Sequence, residues 1–76
     1  MKAKLVWIFS GQGALKIAEH HVVHLKDFCE IEKVEVVEFG TEKQTEFTST
    51  AFMIVQKELV DSLRKSLKPH KGFLVE

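Results

Sequence analysis

Three histidines, His20, His21 and His24, stand close together in a stretch with helical periodicity. On an α-helix His20 and His24 lie one turn apart, and His21 and His24 three positions apart. Both are spacings at which two imidazoles hold one transition metal. Two imidazoles make half of a tetrahedral set, so a site here needs further ligands. Cys29, further along the same helix, points roughly 80° away from His21 by the 100° step of an ideal helix. His70 joins only if the fold or a second chain brings it near. His21 also falls in the apolar stripe between Ile17 and Phe28, where it reads equally well as a core or interface histidine with one satisfied hydrogen bond.

A second candidate is Ser10-Gly11-Gln12-Gly13, between the first strand and the first helix. Glycines let a backbone approach a ligand, and free amides at a helix start attract a phosphate or carboxylate, so Gly11, Gln12 and Gly13 are the residues that a small anionic ligand would touch. The same two glycines also serve any sharp strand-to-helix turn. There is no third glycine of a dinucleotide fingerprint and no Gly-Lys-Ser/Thr of a P-loop.

Trp7 and Phe52 form a third candidate, as expected neighbours on the two central strands. RNA-recognition domains stack bases on aromatics at comparable places, and Val6-Trp7-Ile8 and Ala51-Phe52-Met53 resemble parts of their two motifs. Thr50 stands where a second aromatic belongs, and the flanking basic residue is missing. Catalytic residues do not stand out. Cys29 lies on an apolar stripe, where a thiol is usually inert packing. Glu30, Glu32, Glu35 and Glu38 alternate with apolar residues as on a solvated edge.

The chain that must position these groups has 76 residues, enough for one small domain spanning 1–76. Eleven Lys and Arg balance eleven Asp and Glu. That leaves none of the basic excess with which proteins bind nucleic acid or anionic lipid. A single cysteine cannot close an internal disulfide, which points to a reducing, cytoplasmic setting. The apolar run Leu5 to Phe9 is too short for export or a membrane span.

Residues Lys4 to Ser10 read as a strand buried on both faces, ended by Gly11. Ala14 to Glu30 reads as a helix, with Leu15, Ala18, Val22, Leu25 and Cys29 along its apolar stripe. Lys33 to Phe39, rich in valine but broken by glutamates, reads as a charged edge strand, with a polar turn from Gly40 to Gln44. Glu46 to Gln56 gives a second strand apolar on both sides, Leu59 to Leu67 a short amphipathic helix stopped by Pro69, and Phe73 to Val75 a brief last strand.

This order, β-α-β-β-α-β, resembles the ferredoxin-like fold: α+β, with a four-stranded antiparallel sheet and two helices on one face. Amino-acid-sensing ACT domains, heavy-metal-binding domains and acylphosphatases share that topology, but this chain lacks the Cys-x-x-Cys of the second and the glycine-rich loop with arginine of the third. Two helices shield one face only, while both central strands are apolar on both sides, so a homodimer through the open sheet face is expected, with Leu5, Trp7, Phe9, Phe52 and Ile54 as its interface. The function expected is a small non-enzymatic homodimeric binding or regulatory module, taking a small anionic ligand near Gly11 or a transition metal near His20 and His24. The alternative is a nucleic-acid-binding protein or small nuclease of the same fold.

Overall fold

The computed structural model describes residues 1–75. Strand β1 (Lys2–Ser10) leads into helix α1 (Ala14–Ile31), then strands β2 (Glu38–Thr45) and β3 (Thr48–Gln56). A short 3-10 turn and helix α2 (Val60–Leu67) follow, and then β4 (Lys71–Val75). The sheet is antiparallel throughout, in the order β2-β3-β1-β4, so the two most apolar strands are central and the other two are edges. Their β-branched and aromatic content suits positions flanked on both sides.

Register assigns the faces. Leu5 stands opposite Met53 and Trp7 opposite Ala51, and these four join Val55 in one buried cluster with Ala18, Val22, Leu25 and Cys29 of α1 and Leu63 of α2. Both helices therefore cover that side. The buried stripe of α1 runs through Ala14, Ala18, Val22, Leu25 and Cys29, while Leu15 and Ile17 are exposed. Its two alanines have little side chain to hold the first turns of the helix away from the strands.

On the opposite side Val6 faces Phe52 and Ile8 faces Thr50. The expectation that this face would stay bare is corrected here: Val6, Thr50 and Phe52 are all buried within the single chain. The ring of Phe52 lies across Gly40 of β2, so close that a Cβ on Gly40 would come within 2.5 Å of it. Above the ring, Lys4 Nζ sits 4.4 Å from its centroid and 2.7 Å from Glu42 Oε1. A partly exposed ion pair contributes only about 0–1 kcal/mol, but here the lysine stem and charge also cover an aromatic face.

The β2 segment lies later than the valine pattern suggests. Lys33 takes a left-handed φ of 56° and closes α1, with Val34 N–H donating to Cys29 O at 2.8 Å and Glu32 N–H to Phe28 O at 2.9 Å. That is a Schellman-type end, in which the residue after the left-handed position makes an apolar contact back to the helix. Val34 and Val36 pack against the core in this way as connecting loop, and the strand itself uses Phe39, Gly40 and Thr41 between charged neighbours. The charged-edge character holds, on Glu38, Glu42 and Lys43.

Strand β4 pairs with β1 only as far as Val6 and Lys71, leaving the last residues of β1 without a partner strand on that side. His70 takes up the next ladder position. Its backbone N–H donates to Val6 O at 2.9 Å, and its side-chain Nδ1 accepts from Ile8 N–H at 2.7 Å.

The closure over Gly40 gives a direct expectation. Gly40→Ala should destabilise the protein by about 1–3 kcal/mol in urea unfolding, the usual range for overpacking. Most of that loss should disappear in a Phe52→Leu background, because the crowded atoms are ring atoms.

Candidate functional site

Helix α1 carries His20 and His24 on its exposed side, with ring centroids 4.7 Å apart. One turn of helix separates them, and no neighbouring element covers either ring. His21 turns the other way. It packs between Trp7, at 5.2 Å between centroids, and Phe9, at 5.3 Å. Its Nε2 is buried and has no hydrogen-bond partner among the described residues, so the satisfied core or interface histidine expected from sequence is half realised: the ring is half-buried against Trp7 and Phe9, and the bond is not made.

The fold does bring His70 to this end of the molecule. Burial pushes the His21 imidazole below its ordinary 6.5, and the charges of His24 and then His70 add to the effect. Because His70 Nδ1 accepts the Ile8 amide, the neutral ring carries its proton on Nε2. A shallow depression of about 410 Å3 runs along Phe9, Lys16, Ile17, His20, His21 and His24. Among the described residues no three His, Cys, Asp or Glu side chains are grouped so as to hold one metal ion. Of the expected metal ligands, His20 and His24 thus form a pair, and His21 packs instead against Trp7 and Phe9.

Cys29 is remote from these groups in character. It is buried with its Sγ 3.6 Å from Met53 Sδ, and burial raises its thiol above the ordinary value, which leaves it a poor nucleophile. No helix of the described residues is long and apolar enough to cross a membrane.

The turn before α1 is an exposed corner. Gly11 adopts φ +112°, a conformation that favours glycine, and its N–H donates to Phe47 O at 2.8 Å, fastening the turn to the β2–β3 hairpin. Gly13 caps α1 without a side-chain bond, and Gln12 and Gly13 are both exposed, beside Lys16, Lys43 and Glu46. The conformational need of Gly11 accounts for one of the two glycines, and Ser49 is the one buried polar residue lining the corner among the described residues.

The aromatic pair is corrected outright. Trp7 lies under the helices, its Nε1–H donating to Leu67 O at 2.9 Å, whereas Phe52 lies on the other side of the sheet opposite Val6. They cannot stack one base between them. The five residues expected as an interface divide in the same way. Leu5 and Trp7 are buried with Phe9 on the helix side, while Phe52 and Ile54 belong to the opposite face, with Ile54 half-buried. Two features escaped the sequence reading: the ladder role of His70 and the Lys4–Glu42 clasp. Each depends on strand register, which residue types at those positions do not reveal.

No family model matches the chain, and neither a curated protein nor a solved structure is detectably similar to it.

The orphaned imidazole sets a pH dependence. The unfolded chain takes up a proton at His21 near 6.5, while the folded chain holds it off to lower pH. The stabilising effect of neutral His21 is therefore complete above about pH 6.5 and drains away as pH falls toward the folded value. Urea unfolding from pH 7.5 down to pH 5 should show stability falling, and His21→Leu should flatten that slope. An equally steep slope in the variant would assign the loss to other groups.

Proposed function

We propose that this protein is a small, non-enzymatic binding or regulatory module of the ferredoxin-like class that works as a homodimer in the cytoplasm and holds a transition metal at His20 and His24. The element order and the sheet order β2-β3-β1-β4 support the fold name, because they place β3 between the two strands that α1 connects, which is the split β-α-β arrangement. Balanced charge and a buried, free Cys29 support a compartment where thiols stay reduced.

The observation that carries the metal reading is the His20–His24 pair. Two exposed rings 4.7 Å apart on one helix face offer imidazole nitrogens at the one-turn spacing with which a pair of histidines holds one ion at the usual ~2.0–2.1 Å. Copper, nickel and zinc all accept imidazole, with water or a second chain supplying the remaining positions. The corner at Gly11, Gln12 and Gly13 gives a small anion less, since it offers backbone amides in open solvent. Nucleic acid has the least support, with Trp7 and Phe52 on opposite sides of the sheet.

Calorimetric titration with Ni2+ or Zn2+ at pH 7.5 tests the reading. Wild-type protein should bind one ion per chain, His20→Ala/His24→Ala should lose more than about tenfold in affinity, and His21→Leu should bind as wild type. No binding by the wild type, or equal binding by the double variant, would end the metal reading.

A further inference from the structure

The bare side of the sheet is closed by its own residues, and the remaining exposed apolar surface on the sheet sits at the β4 edge. Phe73 is 50% exposed and Leu74 57%. Edge strands of natural sheets are normally protected by charges, prolines, bulges or covering segments. Strand β2 has such protection, with Glu38, Glu42 and Lys43 and an irregular register near Thr45. Strand β4, Lys-Gly-Phe-Leu-Val, has one charged residue and neither proline nor bulge.

The register says which groups it offers. Val6 C=O and Ile8 N–H both reach toward His70, so the even-numbered residues of β1 turn their backbone toward β4. Their partners Lys71, Phe73 and Val75 point inward, and Gly72 and Leu74 present their N–H and C=O groups to the open edge. Gly72 has no internal reason to be glycine. Its φ is not in the left-handed range, and an added Cβ would meet only Leu5 Cδ2, at an ordinary 3.5 Å. A glycine inside a strand often marks a close approach by something else. Beside it, a groove of about 430 Å3 opens between β4 and α2, lined in part by Ala3, Leu5, Val60 and Gly72.

We propose that β4 pairs antiparallel with β4 of a second copy of this chain about a two-fold axis at Phe73, joining the two sheets into one of eight strands. This rests on the homodimer reading above and assigns its surface. In that register Gly72 stands opposite the mate's Leu74, and the two exchange both N–H···O bonds, as their outward backbones require. The mate's Leu74 side chain then lies over Gly72 at the mouth of the groove. Phe73 meets its own copy in a non-hydrogen-bonded pair, where cross-strand side chains approach most closely. Lys71 falls opposite Val75 rather than another lysine, so the two-fold pairing sets no like charges directly opposite each other.

Light scattering on a sizing column, with two substitutions, decides the matter. Wild type should run at twice its 8.7 kDa chain mass. Leu74→Pro removes only an outward N–H, which its own sheet does not use, and should give single chains of unchanged far-UV circular dichroism. Leu74→Lys should do the same by charge at the exposed position. As a gain of signal, Phe73→Cys should cross-link to twice the chain mass with oxidised glutathione, which takes up the two electrons and two protons as the disulfide forms. Wild type at a single-chain mass throughout would overturn the homodimer reading and this surface together. A dimer unchanged in both Leu74 variants, with no Phe73→Cys cross-link, would overturn the edge and leave the homodimer reading in place.

Discussion

One closure governs how this molecule can meet anything else. The ring of Phe52 lies against Gly40, and Lys4 and Glu42 join above it. Two central strands apolar on both sides create the need for that cover, since α1 and α2 shield only the side with Leu5, Trp7, Ala51 and Met53. The absence of a side chain at Gly40 is what makes room for the ring. With both faces of the centre sheltered, the uncommitted hydrogen-bonding groups of the sheet are those of its edges, and the two edges differ in how well they are guarded.

Much of the architecture was legible in the sequence because it rests on periodicity. Leu5, Trp7, Ala51, Met53 and Val55 alternate as strands do, and Ala18, Val22, Leu25 and Cys29 recur at helical spacing, so the central strands and both helices followed from counting, and the antiparallel four-stranded sheet from the fold that their order resembles. The β2 segment did not. Val34 and Val36 look like strand residues, but Val34 closes a helix end made possible by the left-handed Lys33 and Val36 packs on the core from the loop, while the true strand has a polar, half-exposed pattern that marks no core. Alternation also says that two sets of residues point opposite ways without saying how neighbouring strands align. Trp7 and Phe52 therefore seemed to be neighbours until the pairing of Trp7 with Ala51 separated them.

The histidines divide along similar lines. Helical spacing correctly brought His20 and His24 into contact, because that relation is local. It gave no warning that His21 would be wedged between Trp7 and Phe9 with a ring nitrogen unpaired, or that His70 would lend Nδ1 to the β1 ladder, since both depend on long-range packing. The result is an end of the molecule where one imidazole pair faces solvent and two further imidazoles serve the core and the sheet. The pair proposed to hold a metal and the imidazole whose protonation burial opposes are thus different residues of one cluster.

The central claim is that the open edge of β4, and not a face of the sheet, is where this chain receives its mate. Amide hydrogen exchange read by NMR tests it most directly, since Gly72 and Leu74 N–H have no acceptor within their own sheet. Both amides should exchange slowly in concentrated protein and faster on dilution, while the inward amide of Phe73 stays slow. Fast exchange at Gly72 and Leu74 at every concentration, in a protein otherwise well protected, would contradict the account.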